Sequence, residues 1–399
     1  MPLFTYVAKT SDGRTVTGTL EASVEKAVLE ALHQRGLVVV RVGRPTISQP
    51  RPGRVRLDDL AIFARQLATL VDAGIPIVGG LEAVADQMEN KTLRDVVRQA
   101  KAAVEGGTNL TVAIAKQSTI FSPLFVSMVK AGEASGHLAE VLQRLATYLE
   151  KSAALQRKVK SACVYPAIVI AMAVLITTLL MLNVIPAFKE IFTSLNVELP
   201  LPTRILIAVS DCMVKGFIPG LGVLFLGTVL ARRALKTVAG QRWRDRLLLR
   251  LMLIGPIVRK VAVAKFARTL STLIRSGVEI LAALEIVSET AGNQIVADAV
   301  LQARTSIREG ENIAGPLTAS GVFPPMVVRM IAVGEQTGRL EDMLTKVAEF
   351  YEEQVDTAVS GLTSAIEPII IAVLGVVVGS IVLSIFLPIF KLTQALSAH

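Results

Sequence analysis

A chain of 399 residues in which 52% are hydrophobic, with a mean hydropathy of +0.56, must hold apolar runs longer than a water-soluble core requires, which excludes an ordinary soluble enzyme. Two cysteines and three histidines are too few for a disulfide framework or a zinc cluster. The net charge of +9 calls for an anionic partner, and aromatics at 5% offer few stacking rings for nucleic acid, so anionic lipid and acidic partners are expected and direct nucleic-acid binding is not.

Residues 1–43 read as a small ββαβ module. No basic stretch precedes an apolar one, so no cleavable signal is expected and the N-terminus is placed in the cytoplasm. Phe4, Tyr6 and Ala8 alternate with polar residues, and Thr15–Leu20 can pair with them across a turn at Ser11, Asp12 and Gly13. Val24, Ala27, Val28, Ala31 and Leu32 share one helical face that stops at Gly36, and Leu37–Val42 is a further β-rich run. Residues 44–56 carry three prolines and four arginines and read as a basic linker.

Residues 57–163 read as a bundle of about six helices joined by short connections. The first is capped by Asp58 or Asp59, carries Leu60, Phe63, Leu67 and Leu70 on one face and ends at Gly74. The second runs from about Pro76 to Met88, and two more lie around 92–104 and 108–117. The fifth covers about Pro123–Ala134, and a long sixth leads from Leu138 toward Lys160. An uncharged transmembrane helix at 164–186 follows, then an external loop at 187–211. Residues 212–231 are a weaker transmembrane candidate, broken by Pro219 and several glycines, with a buried core helix as its alternative. A basic connector at 232–258, a second bundle at 259–366, a third transmembrane helix at 367–388 and an external tail at 389–399 complete the chain. Cations concentrate before the first span and after the second, and the positive-inside rule places both bundles in the cytoplasm and the C-terminus outside. Lys215 lies near one end of 212–231, where it can snorkel, and no span holds a charge deeper inside, which argues against a transporter or channel.

Self-comparison is the strongest signal. FARQLATLVDAGIPIVGGLEAV at 63–84 aligns with FARTLSTLIRSGVEILAALEIV at 266–287, an offset of 203 residues. FSPLFVSMVKAGEASGHL at 121–138 aligns with FPPMVVRMIAVGEQTGRL at 323–340, and the same register pairs Pro166 with Pro368 and Pro186 with Pro388. These prolines mark where each copy enters and leaves the membrane. Two parallel copies on one side of the membrane need one return crossing between them, and only 212–231 can supply it.

No Ser-His-Asp or Cys-His pairing can be argued, the dipeptide Gly-Lys of a phosphate loop is missing, and neither catalytic nor cofactor-binding residues are expected. Two GExxG elements, Gly132-Glu133 to Gly136 and Gly334-Glu335 to Gly338, read as tight helix–helix turns or partner contacts, with each Glu beside the N-terminus of the following helix. Asp86, Glu89, Glu349, Glu352 and Glu353 read as solvated helix faces. Cys163 and Cys212 fall at opposite membrane faces, too far apart to bridge. Arg242, Arg244 and Arg246 form a basic face for lipid or an acidic partner.

These residues resemble a known family. FARQL with FARTL, both GExxG turns, Lys158-Val159 with Tyr165-Pro166, Ile185-Pro186 and Ile366-Glu367-Pro368 are similar to the PilC/GspF inner-membrane platform proteins of type IV pili and type II secretion systems. The ending Phe386–Leu392 and the stretch Thr290–Asn293 resemble the pilus branch. The resemblance implies a non-enzymatic, multi-pass inner-membrane scaffold that couples a cytoplasmic hexameric ATPase to insertion of pilin subunits. The partners it implies are assembly and retraction ATPases, pilins, other inner-membrane assembly proteins and further copies of the chain in a homo-oligomer. The equivalent secretion platform is the alternative. Where secretion members hold calcium on an acidic side chain this chain has Gly79, so no metal site is expected, with Glu133 and His137 the remaining matching positions.

Overall fold

The computed structural model describes residues 3–9, 15–21, 25–34, 36, 38–43, 55–194, 200–235, 237–252 and 254–397. Its contacts divide the chain into two units, one of residues 1–54 with 90–92, the other of the remainder. The first contains strand β1 (Leu3–Lys9), strand β2 (Thr15–Glu21), helix α1 (Glu25–Gln34) and strand β3 (Val38–Gly43). The sheet order is β2-β1-β3 and both pairings are antiparallel, with a bulge between Val7 and Ala8 against β3. Val28 and Leu32, one helical turn apart on α1, are fully buried, as is Ala8. The expected turn at 11–13 and the linker at 44–54 lie outside the described residues.

The second unit is helical. Its first bundle holds α2 (Leu57–Asp72), α3 (Ile77–Gln87), α4 (Lys91–Glu105), α5 (Leu110–Ala115), α6 (Pro123–Ser135) and α7 (Leu138–Leu179). A π-helical turn, Leu180–Val184, leads into α8 (Ile185–Ser194), followed by α9 (Leu201–Ala234) and α10 (Val238–Arg250). The second bundle repeats the order with α11 (Gly255–Arg275), α12 (Ile280–Thr290), α13 (Gln294–Arg308), α14 (Ala314–Ala319), α15 (Pro325–Thr337) and α16 (Leu340–Ser397). Asp59 sits three residues inside α2 and its carboxylate accepts the Arg56 backbone N–H at 2.9 Å, so it closes the helix start from within.

In each bundle the first helix packs along the last, α2 on α7 and α11 on α16. Phe63, Phe121 and Phe125 form an aromatic cluster with centroids 4.8–6.1 Å apart. In the second copy Phe266 and Phe323 keep a 4.8 Å contact, while Val327 takes the place of the third ring. The bundles also touch each other, chiefly through α7 against α16 and α11.

Among the described residues, two helical stretches, Leu138–Ile191 and Leu340–Pro388, are long and apolar enough to cross a membrane. Their apolar halves leave Ile168, Leu175, Ile371 and Val376 between 59% and 70% exposed, an uncovered hydrocarbon belt that lipid accounts for. The structure places helix within three of the expected segments. The expected loop at 187–211 is mostly the end of α8 and the start of α9; the connector at 232–258 contains α10; and the tail at 389–399 continues α16 to Ser397.

The helix breakers explain how α9 is held. A proline lacks the N–H that would reach the carbonyl one turn earlier. Pro186 does this behind α7, and the chain shifts into π geometry, with the Ile185 N–H on the Leu180 carbonyl. In that register the Met181 carbonyl faces the position of Pro186 and has no backbone donor. The buried Ser210 hydroxyl of α9 donates to it at 2.5 Å. Pro388 deprives Ser384 in the same way, and the buried Thr203 hydroxyl of α9 donates to the Ser384 carbonyl at 2.6 Å. Met181, Ile185 and Ile381 form a buried cluster there, with Leu206, Ile207 and Met213 of α9 against it.

Candidate functional site

Each GExxG turn divides its work among three residues. A Cβ on Gly132 would lie 3.1 Å from the Leu138 Cα and the Val141 Cβ, and one on Gly334 would lie 2.8 Å from the Leu340 Cα, so both glycines let the incoming helix approach closely. Gly136 and Gly338 close α6 and α15 with φ of 74° and 68°. This left-handed conformation suits glycine. The glutamates do not serve the following helix, as expected from sequence, but an earlier one. Glu133 accepts the Leu110 and Thr111 N–H groups at 2.6 and 2.9 Å, and the Thr111 hydroxyl. Glu335 accepts the Ile313 N–H at 3.1 Å. Each carboxylate thus satisfies the open donors at the start of α5 or α14.

His137 stands just before α7, exposed, with Nδ1 2.9 Å from the Ser135 carbonyl. Arg339, its counterpart, pairs with Asp342. Both Glu133 oxygens are committed to N–H donors, and among the described residues no group of three His, Cys, Asp or Glu side chains converges on a metal position. Cys163 and Cys212 are free and exposed.

A pair of Arg–Glu clamps was not legible as such from sequence. Arg65 of FARQL makes two bonds of 2.6 Å to Glu150 on α7. Arg268 of FARTL makes bonds of 2.7 and 2.8 Å to Glu352 on α16. Glu352 is therefore not a solvated face residue, and Asp86 pairs with Arg98 at 3.0 Å. The fork of a guanidinium matches both carboxylate oxygens. The bond to Arg65 holds the Glu150 carboxyl below its ordinary pKa, and the same bond raises that of Arg65. The repeat carried the signal, since both Arg and both Glu recur in register.

The same surface joins the two bundles. Lys151 of α7 reaches Glu352 at 3.6 Å, and Lys158 pairs with Asp356. The Tyr148 hydroxyl lies 3.1 Å from the Thr269 hydroxyl, and burial pushes its phenol pKa up. Arg144 donates to the Arg275 carbonyl. Side chains of α7 thus bind the second copy, at Thr269 and Arg275 of α11 and at Glu352 and Asp356 of α16.

The basic face is partly absorbed by docking of α10. Arg242 pairs with Asp298 at 3.3 Å, and Arg244 pairs with Asp245. Asp245, 3% exposed, also accepts the Gln294 N–H at 2.8 Å at the start of α13. Arg246 and Trp243 are exposed. Of the membrane-marking prolines, Pro166, Pro368 and Pro388 lie inside α7 and α16, while Pro186 follows the π turn.

Comparison with known proteins gives one answer along the chain. The family described as type II secretion system protein F matches residues 63–186 and again 266–388, and its N-terminal domain matches residues 1–43. A type IV pilus assembly protein PilC of Thermus thermophilus is 43% identical over all of both chains. The PilC of Myxococcus xanthus is 41% identical over 98% of this chain and 95% of its own. A type II secretion system protein F of Pseudomonas aeruginosa is 35% identical over 94% of this chain and 95% of its own. The chain belongs to the type II secretion system protein F family, and the internal repeat is that family's domain occurring twice.

Proposed function

We propose that this family member is the inner-membrane platform of a type IV pilus assembly machine, coupling a cytoplasmic hexameric ATPase to the insertion of pilin subunits. The observation that carries this reading is helical continuity. The 42 residues of α7 and 58 of α16 are about 60 and 90 Å long at 1.5 Å per residue, against a hydrocarbon core of about 30 Å. Each helix is thus a rigid rod with one end in a bundle and the other in lipid. Because side chains of the two copies interlock, a push on either bundle is delivered to both rods. Binding energy or motion from an ATPase needs such a stiff path to reach a membrane-embedded substrate.

The topology belongs to the same proposal. Helix α9 recrosses the membrane; its 34 residues are about 50 Å long. The N-terminus and both bundles are cytoplasmic and the C-terminus is periplasmic. Exposed Arg246 presents charge to the ATPase or to anionic lipid, and self-association places several platforms around one filament. Breaking the α7 rod by inserting Gly-Gly-Ser after Ala154 should leave the protein in the membrane fraction and abolish piliation; normal pili in that strain would sink the lever mechanism. The similarity to a secretion protein F supports a second reading, the platform of a secretion system. Gene deletion separates the two, since loss of surface pili with intact secretion supports the first and the reverse outcome the second.

A further inference from the structure

Where α7 and α16 pass from bundle to apolar run, they frame a cleft with α11 of about 530 Å³. Ile170, Ile257, Val261, Val359 and Leu362 form apolar walls, and Lys265 is the only charged side chain among the lining residues. Nearby cations are already engaged: Lys158 with Asp356, Arg268 with Glu352, Lys260 with the Gln354 amide. Lys265 has no carboxylate partner among the described residues. Gly292, with a φ of 70°, lies beside its ammonium, where a Cβ would come into ordinary contact with Nζ at 3.6 Å. Lys265 is an exposed residue, yet the protein around its ammonium desolvates it and lowers its pKa. An unpaired cation above apolar walls, at the level where the chain enters lipid, calls for a ligand with one anionic end and a hydrocarbon tail.

We infer that this cleft binds one anionic phospholipid of the surrounding membrane, with its phosphate on Lys265 and an acyl chain along Ile170, Ile257, Val261, Val359 and Leu362. The inference rests on the membrane-embedded reading above. The cleft holds roughly one turn of a helix 10–12 Å wide, which is too little for a protein segment and suits a flexible chain. A zwitterionic headgroup brings its own cation beside the phosphate and gains less from Lys265. The bound lipid would act as a wedge seating both copies at one depth in the leaflet.

The test uses the full chain in detergent, with Cys212→Ser so that Cys163, which lines the cleft and is exposed, is the one reactive thiol. Phosphatidylglycerol should slow maleimide labelling of Cys163 and survive delipidation in native mass spectra about tenfold better than phosphatidylcholine, the ratio for one charge-assisted contact. Lys265→Met should abolish that preference, Lys265→Arg should restore it, and Arg259→Met should leave it intact, with circular dichroism confirming that each variant is folded. Equal retention of both lipids by the wild type, or an unchanged preference in Lys265→Met, overturns the inference. So does equal protection of Cys163 by inorganic phosphate alone, or by a co-purifying protein in lipid-free micelles. A chain that stays soluble without detergent and retains neither lipid would instead overturn the membrane reading beneath it.

Discussion

The two copies of the repeat keep the same contacts but load them differently. Both use a glycine for close helix approach, a glutamate that caps a short helix from the next one and an Arg–Glu clamp between first and last helices. In the first copy the clamp is half exposed, with 32% of the Arg65 and 43% of the Glu150 side chain accessible. In the second, Arg268 and Glu352 are 13% and 25% exposed and Glu352 also receives Lys151 from the other copy. The prolines that end the spans differ too. Pro186 is preceded by a π turn, whereas Pro388 sits in continuous α-helix, yet α9 serves both with a hydroxyl. Duplication therefore preserved the scaffold, while the clamp glutamate of the second copy alone also receives a cation from the other copy.

That comparison can be broken at several points. The largest effect is expected at the tighter glycine. Gly334→Ala pushes a Cβ to 2.8 Å from backbone and should cost about 2–3 kcal/mol, with Gly132→Ala costing less, as overpacking does when the backbone must move. Thermal or denaturant melts in detergent measure both, and an equal cost would show that the copies tolerate crowding alike. Next comes the clamp. Arg268→Met leaves Glu352 partly buried with Lys151 alone and should cost about 1–2 kcal/mol, against less than about 1 for Arg65→Met at its more exposed pair. A cycle with Lys151→Met should show coupling only on the second clamp.

Removing either α9 hydroxyl, by Ser210→Ala or Thr203→Val, should destabilise by about 0.6 kcal/mol and no more than roughly 1.7, the range for such bonds between membrane helices. If both are silent, α9 is held by packing and by the Lys189–Asp211 ion pair at 2.7 Å. The smallest effect is with pH. Glu150 has its pKa depressed in the fold, so its stabilisation is complete above the unfolded-state carboxyl pKa and is lost as pH falls through the lower folded value. Glu150→Gln should flatten that part of the acid-stability curve slightly; an unchanged curve would assign the acid sensitivity to other carboxylates.

Much of the scaffold was legible because it is written in local pattern. Gly74, Gly136 and Gly338 mark helix ends by their own backbone freedom, and the apolar runs after Pro166 and Pro368 are recognisable by length. The repeat extended that reading, since an uncertain helix in one copy could be checked against the other. The clamps and Lys265 were hidden for a physical reason. Glu352 looks like Glu349 and Glu353 in sequence, and only the packing of α11 on α16 decides which of them meets an arginine.

The sequence by itself determined a duplicated helical protein with apolar spans, because helix periodicity, glycine turns and hydrophobic length act over a few residues at a time. Tertiary structure alone decided that Glu133 caps α5 rather than α7, that Arg242 and Asp245 dock α10 on α13, and that α9 supplies the hydroxyls two prolines make necessary. A proline announces in sequence that a carbonyl will lack its donor. Which distant side chain satisfies that carbonyl depends on how the helices pack, and no local rule carries that information.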